Sequence, residues 1–66
     1  MEKDLQLLQD FKAAMLELTQ KGKVSTSLIE TTDGTFTRVS IIIDNVKYQE
    51  DNEDLIIATI RLKNQL

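Results

Sequence analysis

The 66-residue chain has no cysteine, no histidine, no proline and no tryptophan. Without cysteine there is no disulfide, no thiolate metal site and no thiol nucleophile. Without histidine the usual general base and the commonest nitrogen ligand for a metal are gone. Only two glycines occur, Gly22 and Gly34, so no glycine-rich phosphate loop is present. No apolar run reaches the roughly 18 residues of a membrane span. The opening Met1-Glu2-Lys3-Asp4 lacks the basic-then-apolar order of a secretory signal. A cytoplasmic protein with no membrane contact is expected.

Serine and threonine are plentiful, but a hydroxyl nucleophile needs an adjacent base, and only carboxylates and lysines are on offer. They read more simply as solvent-facing strand residues. No catalytic residue, cofactor site or metal site is expected, and the chain is not expected to be an enzyme. Carboxylates with a divalent metal are the remaining catalytic option. It rests on Glu50-Asp51-Asn52-Glu53-Asp54, which reads more readily as the capped, acidic start of a helix. The EF-hand spacing is absent, since Asp44 is followed at the ligand positions by Val46 and Tyr48.

A chain this short buries only about 60% of the surface its unfolded form exposes. Either its core is efficient or a second subunit completes it. Formal net charge is −3. Four acids stand against three bases in residues 1–22, three against three in 23–49, and four against two in 50–66. The densest cluster is acidic, where a nucleic-acid binder shows a basic stripe.

The chain reads as one domain over residues 1–66, in the order α-β-β-β-α. Residues 4–21 predict a helix, with Leu7, Leu8, Phe11, Ala14, Met15 and Leu18 within one arc. Gly22 is positioned to end it in a left-handed conformation. Leu5 and Leu16 fall off that arc and are candidate subunit contacts. Residues 24–32 and 35–43 predict a β-hairpin turning at Asp33-Gly34. That turn pairs Val24 with Ile43, Thr26 with Ile41 and Leu28 with Val39 on one face. Asp44-Asn45 predicts a second tight turn, placing Val46 beside Ile43 and Tyr48 beside Ile41 in a strand over 46–49. Residues 53–65 carry helix signals at both ends, with Asp51 or Asn52 as cap, and Leu55, Leu62 and Leu66 at helical spacing. The alternation Ile56-Ala58-Ile60-Leu62 leaves a fourth strand over 55–63 as the alternative. The fold class is α+β: a three-stranded antiparallel meander with both helices on one face.

The other face of the sheet collects Ser25, Ser27, Ile29, Thr31, Phe36, Arg38, Ser40 and Ile42. Ile29, Phe36 and Ile42 are the apolar residues among hydroxyls, and Arg38 is a candidate anchor beside them. Ser25-Thr26-Ser27, on an edge strand, offers a second route for an added strand.

This element order resembles that of double-stranded-RNA-binding domains, over most of the chain and in topology alone. The resemblance implies contacts from the first helix, the first hairpin loop and a basic start to the second helix. Here that helix begins Asp51-Asn52-Glu53-Asp54 and the loop is only Thr32-Asp33-Gly34-Thr35. Acids at those positions repel phosphate, so the family's binding residues are not carried over. In size, charge and element order the chain also resembles small acidic phage proteins that inhibit host nucleases, including some anti-CRISPR proteins. The expectation is a small interaction module, a regulator or inhibitor that binds a partner protein or forms a homodimer, encoded by a phage or mobile element. The alternative is a nucleic-acid binder using Lys12, Lys21, Lys23, Arg38 and Lys47.

Overall fold

A computed structural model describes the backbone of residues 2–66 and the side chains from residue 4 onward. Helix α1 (Glu2–Lys21) leads into strands β1 (Lys23–Thr31), β2 (Gly34–Ile43) and β3 (Val46–Asn52), and helix α2 (Leu55–Gln65) follows. The strands form one antiparallel sheet in the order β1-β2-β3. This is the expected α+β meander with both helices against one face. Residues 55–63 lie in α2, so the fourth-strand alternative is excluded.

The two turns follow different chemistry. Asp44 and Asn45 both take positive φ, 52° and 68°, the conformation that matches a tight hairpin to the twist of its strands. They set Ile43 against Val46 and Ile41 against Tyr48, as the sequence predicts. The first turn differs from expectation. Thr32-Asp33, not Asp33-Gly34, occupies the bend, and Gly34 pairs with Thr31. Gly34 takes the turn's one positive φ, at 133°, which its missing Cβ permits. The Thr31 hydroxyl accepts from the Asp33 amide at 3.2 Å and donates to the Gly34 carbonyl at 3.0 Å, closing the bend. The register therefore lies two residues from the predicted one: Val24 faces Ile41, Thr26 faces Val39 and Leu28 faces Thr37. A two-residue shift keeps every side chain on its predicted face.

Gly22 also differs from expectation. It is not left-handed. Its amide makes an ordinary helical bond to the Leu18 carbonyl at 3.1 Å. It is glycine because a Cβ there would sit 2.2 Å from the Ile42 carbonyl oxygen. The helix can reverse into β1 only where the two backbones touch.

The second helix starts later than the sequence suggests. Asp54 is its cap, accepting from the Ile56 amide at 2.8 Å. Glu50, Asp51 and Asn52 belong instead to β3. The far end of α2 is tied back by Gln65, whose amide donates to the Gln49 carbonyl at 3.4 Å and to the Glu50 carboxylate.

The core is small. Leu18, Val39, Ile41, Ala58 and Leu62 form it, with Val24, Ile43 and Tyr48 packed around them. Helix α2 lies over β2 and β3, while α1 packs chiefly on α2 and meets β1. Of the six residues in the predicted arc of α1, Ala14 and Leu18 are buried, Leu7, Phe11 and Met15 are half-buried, and Leu8 is exposed.

Candidate interaction surfaces

The residues singled out from the sequence fall on two separate surfaces. Ile29, Phe36, Arg38 and Ile42 lie on the open face of the sheet. Leu5 and Leu16 lie on α1, in the layer behind it.

On the open face the strands form cross-sheet rows. Lys23, Ile42 and Lys47 make one row, and Ser25, Ser40 and Gln49 the next. Ser27, Arg38 and Asp51 follow, then Ile29 beside Phe36. Ile29 and Phe36 are direct neighbours and both half-buried. Ile42 stands six residues along β2 from Phe36, about 20 Å at the rise of a strand. The structure thus joins two of the three apolar residues and isolates the third between two lysines. Ser40, at the sheet centre, is buried.

Arg38 already has a partner. Its guanidinium donates two bonds to Asp51, from Nε at 2.8 Å and from Nη2 at 3.0 Å. This bidentate pair spans directly opposed residues of β2 and β3. The hydrogen bonds hold the Asp51 carboxyl below the ordinary carboxylate range, outweighing a slight desolvation, and the attraction of the charges adds to them. The same bonds raise Arg38. The sequence carried this signal: the register that sets Ile41 against Tyr48 also sets Arg38 against Asp51.

The second surface carries more of the exposed large apolar side chains. Leu5 and Leu16 are about 60% exposed (58% and 61%) and Leu8 is 46% exposed. Phe11, Lys12, Ala13, Met15, Leu16 and Thr19 line an open groove of about 540 Å³ along α1. Asp10, Ala13, Ala14 and Glu17 face α2 across a shallow cleft closed by Ile60, Lys63 and Asn64. At 3.6 residues per turn, Leu8, Lys12, Met15 and Thr19 lie half a turn round from those four. The uncovered flank of α1 therefore points away from α2, past β1. Here β1 is a free sheet edge. Its helix-side residues Thr26, Leu28 and Glu30 are exposed, Leu28 at 68%.

Among the described residues no group of three or more acidic side chains is arranged to hold a metal. No described helix is long and apolar enough to cross a membrane. No family model, curated protein or solved structure matches the chain, and the topological likeness to double-stranded-RNA-binding domains finds no confirmation there.

Proposed function

We propose that this protein is a small acidic interaction module, a regulator or inhibitor that acts by binding a protein partner. The observation that supports the reading is a surplus of exposed surface, together with Leu5, Leu8, Leu16 and Leu28 standing uncovered on α1 and β1. The chain exposes 4934 Å², against about 4,250 Å² for a folded monomer of this mass. Its radius of gyration is 12.3 Å, where a compact chain of this length gives about 10.8 Å. Contiguous exposed apolar side chains on a small protein mark interaction sites. Here Leu5, Leu8 and Leu16 lie on one helix beside an unpaired strand. A phage or mobile-element origin fits the size and charge and belongs to the same proposal.

The nucleic-acid alternative is less well supported. Arg38 is occupied by Asp51, and Lys12 lies in the apolar groove of α1, in the layer behind the sheet that carries Lys23 and Lys47.

The test is affinity capture with the tagged chain beside a Leu5→Glu/Leu16→Glu variant. Glutamate keeps helix propensity, and both leucines are exposed, so the variant folds. Partners held by the wild type and lost by the variant support the reading. Equal capture by both, or salt-sensitive binding to nucleic acid by both, contradicts it.

A further inference from the structure

We infer that the occupant of the α1–β1 surface is a second copy of this chain, joined edge to edge through β1 into a six-stranded sheet. The inference rests on the protein-binding reading above and names the partner for that surface.

The two edges of the sheet differ. Strand β3 carries Lys47, Glu50 and Asp51 within seven residues, the charged pattern that discourages strand addition. Strand β1 has nine residues, and its only charges are Lys23 at the first position and Glu30 at the eighth. Between them Val24-Ser25-Thr26-Ser27-Leu28-Ile29 is uncharged, with no proline. Such an edge is a template for another strand.

Its charges do not oppose its own copy. In antiparallel self-pairing centred on Thr26, Lys23 of one strand falls opposite the uncharged Ile29 of the other, and Glu30 lies on the other face of the sheet, so no like charges meet. Directly opposed residues of an antiparallel pair share a face. A two-fold axis at Thr26 therefore sets Val24 against Leu28 of the second copy and Ser25 against Ser27. Val24 packs against the core cluster that contains Leu18 of α1. The second copy's Leu28, 68% exposed in the single chain, comes to lie beside that packed site. The arrangement is isologous, so one operation covers both copies.

Each chain as a whole exposes about 700 Å² beyond the expectation for a monomer of its mass, a surplus of the order that a standard interface covers per partner, about 800 Å². The flanks of α1 open toward the same edge, so Leu8 and Met15 of both copies contribute to one continuous contact behind the joined strands.

The experiment is sedimentation equilibrium of the whole chain across micromolar concentrations, with Thr26→Lys and Leu8→Glu as variants. Both residues are exposed, and circular dichroism of each variant checks that it folds. The wild type should sediment at twice 7.5 kDa, and each variant should shift to the monomer mass at the same concentration. A wild type that stays monomeric at 100 µM (about 0.1 mM), or a dimer that both folded variants retain, overturns the inference. Should either variant fail to fold, a spin label at Ser27, a residue on the open face, decides the wild type. Short label-to-label distances that vanish on dilution support the pairing, and their absence rejects it. A monomer that still captures a foreign protein through Leu5 and Leu16 would reject the second copy while keeping the protein-binding reading.

Discussion

Leu28 and Val39 project from the same face of the sheet, yet Val39 is fully buried and Leu28 is 68% exposed. Three strands spaced about 4.8 Å apart make a sheet narrower than two helices of about 10 Å each laid side by side. Helix α2 takes the place over β2 and β3, and α1 is left toward the rim, with Leu8 exposed and Leu7, Phe11 and Met15 only half-buried. The two residues should respond differently to truncation. Val39→Ala should cost about 2 kcal/mol of folding stability. Leu28→Ala, measured on dilute monomer by urea denaturation, should stay within about 0.5 kcal/mol of wild type.

Gly22→Ala should destabilise through a backbone clash. The added methyl meets the Ile42 carbonyl oxygen at 2.2 Å and Ile43 Cγ1 at 2.9 Å. The expected loss is about 1–3 kcal/mol, the usual cost of overpacking. Gly34→Ala meets no atom within 4 Å but must hold a φ of 133°, a strain of about 1–3 kcal/mol. Thermal melts of both variants check the two values. Compensating movement of Ile42 in the chemical shifts should appear only for Gly22→Ala.

Much of this architecture follows from side-chain parity. Val24, Val39, Ile41, Ile43, Val46 and Tyr48 share one parity along their strands, with Ile42 the one apolar residue set between them on the other face, and that parity assigns the faces whichever turn is chosen. It cannot choose between turns one residue apart, whose registers differ by two, so Asp33-Gly34 is as consistent with the pattern as Thr32-Asp33. The start of α2 was obscured for another reason. Acids suit a helix N-terminus, and they also suit a strand opposite an arginine. The cross-strand pairing of Arg38 with Asp51 prevails and holds residues 50–52 in β3. Gly22 was legible as a boundary, whereas its close approach to Ile42 depends on three-dimensional placement. Among the candidate contact residues, parity put Ile29, Phe36, Arg38 and Ile42 on one face. The spacing along β2 that parts Ile42 from Phe36 follows from the same strand.

The Arg38–Asp51 pair predicts a pH effect of definite sign. Asp51 lies below its ordinary value in the folded chain. Its contribution to stability is therefore present above the ordinary aspartate range and is lost as pH falls through the lowered folded value. The pair is solvent-exposed, so the effect should be small and should shrink with salt. Carboxyl chemical shifts during an acid titration should show Asp51 titrating below a typical aspartate. Arg38→Gln should move it back upward. An unchanged Asp51 midpoint in that variant would mean that the pair does not persist in solution.

Asp54 should matter more to α2 than its acidic neighbours. Asp54→Ala removes the acceptor for the Ile56 amide and should cost about 1 kcal/mol. Glu53→Ala should change little, since Glu53 is exposed and precedes the cap. Denaturation midpoints of the two variants separate these outcomes.

The most direct measurement is amide hydrogen exchange of the unmodified protein, compared residue by residue between dilute and concentrated samples. Pairing through the free edge of β1 predicts slower exchange across Val24–Leu28 as concentration rises, with the amides of β3 unchanged. Rapid exchange along β1 at every concentration, or protection gained on β3 instead, would contradict the account.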